Sequence, residues 1–120
     1  MNATIVDAPA LPLSRDLATQ WASWFAALGD PTRVLILHLL STERRPLSVG
    51  EITERLDVGQ STVSHHLAKL ADVRFVLVER EGTSSWWRVN DACIGCFPSA
   101  ADVVMGRIDP EFLETQNQET

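Results

Sequence analysis

The chain has 120 residues, room for one domain around one core, and its 45% apolar content is that of a packed protein. Its longest uninterrupted aliphatic stretch, Val34 to Leu37, is far too short to span a bilayer. No charged start followed by an apolar run reads as a secretory signal, so the expected compartment is the cytoplasm, where thiols stay reduced. A net charge of −6 argues at first against a nucleic-acid partner, but the eight bases between Asp30 and Val89 balance the eight acids there, so every excess negative lies outside that stretch. A neutral module with basic edges still binds phosphates, with an affinity that falls steeply with salt.

Residues 1–14 are proline-spaced and aperiodic and read as a flexible N-terminal arm. A first helix is expected from Arg15 to about Leu28, capped by Ser14, with Leu17, Trp21, Trp24, Phe25 and Leu28 at helical spacing and Gly29 closing it. Asp30-Pro31 then restarts the chain as N-cap and first helical residue. The second helix carries Val34, Leu35, Leu37, His38, Leu39 and Leu40, apolar nearly all round, as in a buried central helix with His38 hydrogen-bonded in the core. After a polar loop with Arg44-Arg45, Ser48 and Glu51 form a capping box for a third helix that runs to about Leu56 and buries Val49, Ile52 and Leu56.

Asp57-Val58-Gly59 makes a short turn, and a fourth helix runs from Gln60 to about Ala71, its inward face Val63, Leu67 and Leu70. Two helices joined by a three-residue turn containing glycine form a helix-turn-helix. Phe75–Glu79 and Ser85–Val89 are rich in β-branched and aromatic residues, and the turn-forming stretch between them predicts a β-hairpin, which in this place is a wing. A last helix, opened by Pro98, holds Ala100, Val103, Val104 and Met105. The expected fold is therefore mainly α with one small β-hairpin: a dimeric winged helix-turn-helix in the order α-α-α-α-β-β-α over residues 15–106, followed by an acidic flexible tail over 107–120.

A recognition helix reads the major groove with side chains near its N-terminus, where backbone N–H groups also favour phosphate. That end presents Gln60, Ser61, Thr62, Ser64 and His65, with Lys69 further along suited to a backbone contact and His66 packing on the flank. Gln bonds bidentately to adenine, and Ser and Thr reach bases or phosphates. In the wing, Arg80, Thr83, Ser84 and Arg88 are candidates for minor-groove or phosphate contact. The plain alternative is a solvated helix face and an ordinary exposed turn.

Two segments, Ala27-Leu28-Gly29-Asp30-Pro31-Thr32-Arg33-Val34-Leu35-Ile36-Leu37 and Asp57-Val58-Gly59-Gln60-Ser61-Thr62-Val63-Ser64-His65-His66-Leu67, resemble the second-helix and recognition-helix signatures of the ArsR/SmtB metal-sensing repressors. The resemblance covers roughly residues 17–105. It implies a homodimer with the first and last helices at the interface, and release from operator DNA when an inducer binds. The residues agree: Leu17, Trp21, Trp24, Phe97, Val103 and Val104 make the terminal helices more apolar than one small domain needs. A twofold dimer would bury them and set two recognition helices about 34 Å apart, one DNA turn.

Two metal positions of that family are missing. The cysteine motif at the start of the third helix is replaced by Leu47-Ser48-Val49-Gly50-Glu51. The last-helix pattern of Asp and His keeps Asp102, but no histidine follows Val89. What remains is Cys93-Ile94-Gly95-Cys96, the only two thiols, expected near the positive end of the last helix, where thiolate and soft-metal binding are favoured. Two thiols suit Hg(II) first. As(III) or Sb(III), which prefer three thiolates, come second and would need the partner subunit, and Cd(II) or Pb(II) stand behind. Because both thiols must lose protons, sensing should weaken as pH falls.

The pair has other readings, a disulfide redox switch or two small buried residues without a sensing role. An enzyme is not expected: the parallel framework of thiol oxidoreductases is missing, as are a serine elbow, a zincin motif and a phosphate loop. No membrane and no small organic substrate is expected either. An interaction module that uses the dimer helices without DNA is a third possibility, to be told apart by the salt dependence of DNA binding.

Overall fold

Three local caps set the first three helices of the computed structural model, which describes residues 12–94 and 96–110. Ser14 Oγ accepts from Leu17 N at 3.2 Å and opens α1 (Arg15–Ala27). Asp30 Oδ1 accepts from the N–H groups of Thr32 and Arg33 at 2.8 and 3.3 Å and opens α2 (Pro31–Glu43), with Pro31 where no intrahelical N–H is needed. At α3 (Val49–Leu56) Ser48 Oγ accepts from Glu51 N, and the Glu51 carboxylate accepts from Ser48 N, each at 3.1 Å. The arm expected over 1–14 and the tail expected over 107–120 lie largely outside the described residues.

The turn into α4 (Gln60–Asp72) spans the three residues expected and takes its left-handed residue before its glycine. The left-handed residue is Asp57, at φ 55°, whereas Gly59 sits in extended backbone at φ −67° as the N-cap. A short aspartate tolerates the left-handed region better than most residues, so the turn does not require its glycine there.

β1 (Val76–Glu81) and β2 (Ser84–Val89) pair antiparallel from Val76↔Val89 to Glu81↔Ser84. The loop is thus Gly82-Thr83 alone, shorter than the five residues expected, and Gly82 takes a φ of 64° at the first central position, as a type II′ turn requires. Leu47 adds a bridge to β2 that the sequence reading missed, exchanging two 2.8 Å hydrogen bonds with Trp87. A single helical turn, α5 (Asp91–Ile94), precedes α6 (Cys96–Val104). Pro98 therefore does not open the last helix. It stands within its first turn, where a missing N–H costs no intrahelical bond.

One core unites Ile36, Leu39 and Leu40 of α2 with Leu47, Ile52, Val63, Leu67, Leu70, Phe75 and Val76. A second, smaller one joins Trp21 to Ala100 and Val103, and Trp24 packs against both. The reading of α2 as buried all round is corrected. Val34 and Leu35 are 46% and 53% exposed, and His38 is exposed rather than a core residue, because α2 is covered on only one side in the chain described. Among the described residues no helix is long and apolar enough to cross a membrane.

Candidate DNA interface and thiol pair

The apolar stripe of α4 orients its polar face. Val63, Leu67 and Leu70 are fully buried, and each such side chain is worth roughly 1.5–3 kcal/mol relative to exposure. Gln60, Ser61, Thr62, Ser64, His65 and Lys69 are consequently all exposed. The helix starts without a side-chain cap, so its first N–H groups have no side chain competing for them. The wing carries Arg80, Thr83, Ser84 and Arg88, also exposed, with Arg80 Nη1 donating to Ser85 Oγ across the hairpin at 2.8 Å.

His66 packs on the flank of α4 as expected, and its partners tie the helix to α2. Arg33 Nη1 donates to His66 Nδ1 at 3.0 Å, and Arg33 Nε donates to the carbonyl oxygen of Ala27, the last residue of α1, at 2.6 Å. Sequence reasoning missed Arg33, whose role depends on a contact 33 positions away.

The thiols lie where the reading head meets the last helices. Cys93 sits in α5 and donates through Sγ to the carbonyl oxygen of Arg74 at 3.3 Å. Asn90 Nδ2 donates to the same oxygen at 2.8 Å and lies 3.6 Å from Cys93 Sγ. Arg74 occupies the left-handed region at φ 64°, in the turn between α4 and β1. Cys96 is the first residue of α6, and its Sγ donates to Ala92 O at 3.2 Å. Phe97 stacks edge-on against Phe75 and tilted against Phe25, with ring centroids 5.4 and 5.2 Å apart.

The expectation that both sulfurs ionise readily at a helix's positive end does not hold for Cys93. It precedes α6, and burial pushes its thiol above the ordinary range. Cys96 adds to that rise, and the Arg74 charge offsets only part of it. Asn90 was also missed, although an asparagine closing a strand three residues before a cysteine is a readable cap signal: its Oδ1 accepts from Ala92 N at 3.2 Å. Both cysteines are free. Among the described residues no group of three or more His, Cys, Asp and Glu could hold an ion. Among the described residues the two thiols thus stand without a group of further His, Cys, Asp or Glu side chains around them.

In the terminal helices, Trp21 and Val103 are buried within the chain itself, Leu17 and Trp24 pack against them half-buried, and Phe97 is half-buried between Phe25 and Phe75. Of the six interface candidates only Val104 stands exposed, at 50%, beside Met105 at 75%.

A helix-turn-helix with an exposed polar face and a hairpin wing beside it define a winged helix-turn-helix, the architecture of a DNA-binding regulator. The family model described as bacterial regulatory protein, arsR family, matches residues 30–77. The chain is 40% identical over 70 residues to an HTH-type transcriptional regulator of Methanocaldococcus jannaschii, covering 58% of this chain and 78% of that one. It is 34% identical to an arsenical resistance operon repressor of Bacillus subtilis (63% of this chain, 71% of that one). It is also 34% identical to a probable mercury resistance operon repressor of Streptomyces lividans (70% and 61%). A homodimeric winged helix-turn-helix domain of Mycobacterium bovis, described as a possible ArsR-family regulator, has the same fold, with a TM-score of 0.62 at 26% identity over 77% of this chain and 87% of that one. The chain belongs to the ArsR family of transcriptional regulators.

Proposed function

We propose that this chain represses transcription as a cytoplasmic homodimer and leaves its operator when a thiophilic ion, Hg(II) first, is held by Cys93 and Cys96. The observation that carries this reading is the hydrogen bond from Cys93 Sγ to Arg74 O at the exit of the recognition helix. A thiol that becomes a metal ligand loses its proton, so Cys93 then has nothing to donate, and Arg74 O keeps the Asn90 amide alone. Cys96 adjoins Phe97, whose ring contacts Phe75, the residue after Arg74. Both thiols thus border the joint from which reading helix and wing diverge. A bound soft ion supplies two strong sulfur bonds there, and a coupling of about 1–3 kcal/mol is enough to change operator affinity appreciably.

In this reading Gln60, Ser61, Thr62, Ser64 and His65 read the major groove and Lys69 holds phosphate. Arg80, Thr83, Ser84 and Arg88 contact the backbone or minor groove, and residues 15–106 form the working unit. The mercury-repressor relative supports Hg(II). The arsenical-repressor relative supports As(III) or Sb(III) as the second reading, which requires a third donor from the partner subunit.

The test is fluorescence anisotropy of a labelled fragment of the protein's own promoter, with reduced protein titrated with Hg(II). Release at near-stoichiometric metal, lost in Cys93→Ser and in Cys96→Ser, is the expected result. Binding that survives Hg(II) but yields to As(III) moves the second reading to first place, and release by peroxide alone replaces both with a redox switch.

A further inference from the structure

Beside Cys93 a cavity of about 170 Å³ opens between α2 and the start of α6. Leu37, Phe75, Val89 and Phe97 form its apolar wall. Its polar lining comes from Ser41, Asn90 and Cys93, and Cys96 is not among the described wall residues. Apolar cavities of about 150 Å³ lined by Leu, Ile and Phe take up benzene. This one therefore has room for a ring-sized group and sets a single soft donor against it.

We propose that the cavity is a site for monofunctional organomercurials, with Cys93 as the sulfur ligand and the organic group, up to a phenyl ring, seated against Leu37, Phe75, Val89 and Phe97. The inference rests on the thiol-sensing reading and extends its range of inducers. In R–Hg–X one of the two positions that Hg(II) favours is already filled by carbon, so one thiol suffices where the inorganic ion needs both. The Cys93 S–H and Hg–X bonds break and an S–Hg bond forms. The halide or carboxylate X⁻ leaves, the proton passes to solvent, and no atom changes oxidation state. Cys93, rather than Cys96, is selected because only its side chain borders the space the organic group needs.

The experiment compares full-length Cys96→Ser and Cys93→Ser, reduced with a phosphine because a thiol reductant would compete. Each is titrated with phenylmercuric acetate against glutathione, with the adduct read by intact mass. Cys96→Ser should retain phenylmercury at least about tenfold more tightly than Cys93→Ser, a factor that burial of part of a ring readily supplies. Narrowing the cavity by Ser41→Leu should erase that advantage for phenylmercury and leave methylmercury retention unchanged. Equal retention by the two single-cysteine proteins overturns the proposal whether or not the Ser41 variant folds. An equal effect of Ser41→Leu on both mercurials also overturns it. Operator release by inorganic Hg(II) reads the underlying sensing separately. Tight phenylmercury retention at Cys93 without any release by Hg(II) sustains the cavity and overturns the sensing reading.

Discussion

Cys93 Sγ and Asn90 Nδ2 converge on one acceptor, the carbonyl oxygen of Arg74, at 3.3 and 2.8 Å. That residue is held in left-handed backbone between the recognition helix and the wing. The joint is therefore held from both sides, because the N–H groups of Arg74 and Phe75 donate back to Ala71 O and Leu70 O of the recognition helix at 2.9 and 3.0 Å. Asn90→Ala removes the stronger donor and the cap of α5 together. It should destabilise the protein by about 1–2 kcal/mol, read from the shift in the urea midpoint at unchanged m-value. Operator binding by this variant should also become more sensitive to loss of Cys93.

A second link fixes the other side of the recognition helix. Arg33 donates to His66 Nδ1, which must accept and so is unprotonated at that nitrogen, and it also holds Ala27 O. Arg33→Ala should cost about 1–2 kcal/mol in chemical denaturation and lower operator affinity, although Arg33 makes no direct base contact in this account. His66→Ala should mimic the affinity loss while sparing the Ala27 contact, and the urea midpoint and DNA anisotropy measured together separate the two.

The acid limit of stability follows from two carboxylates. Burial alone would raise Asp30, but the N–H donors of Arg33 and Thr32, with the nearby Arg33 charge, outweigh it and hold its carboxyl below the usual range. Glu51 is lowered by the backbone N–H of Ser48 and then by Arg45. A lowered folded value means the stabilisation is present above the unfolded values of about 3.9 and 4.3 and is lost as pH falls through the folded ones. Asp30→Asn and Glu51→Gln should each flatten the fall of the urea midpoint between about pH 5 and pH 2.

How much of this was legible depends on the range of the interaction. The caps at Ser14, Asp30 and Ser48 are local chemistry, and they stand where the residue pattern put them. The inward stripe of α4 was equally readable, because its period is a property of one helix. Contacts between elements were not. The exposure of Val34, Leu35 and His38 depends on what covers α2, and the Leu47–Trp87 bridge joins residues forty positions apart. The Cys93 bond to Arg74 spans nineteen positions, and no sequence motif encodes it.

Assembly and folding should separate by mutation in the terminal helices. Trp21 is only 4% exposed and packs on Ala100 and Val103 within the chain, so Trp21→Ala should destabilise each subunit by about 3–5 kcal/mol. Val104→Asp alters an exposed apolar position and should leave the circular dichroism unchanged while shifting the sedimenting species from dimer to monomer.

Phosphate contact should be visible in salt. Lys69→Ala should weaken binding about evenly across DNA sequences and reduce the slope of log affinity against log salt by about one. Gln60→Ala should instead relax discrimination at one base position by about 1–3 kcal/mol.

The most direct test of the central claim is reciprocity. The affinity of reduced protein for Hg(II), measured by competition with a small thiol, is compared between free protein and protein saturated with operator DNA. If thiol ligation at Cys93 and Cys96 drives release, the operator complex must bind Hg(II) more weakly by the same factor by which Hg(II) weakens operator binding, at least about tenfold. Equal affinities in the two states would mean that the thiols and the DNA surface are not coupled, and would contradict the account.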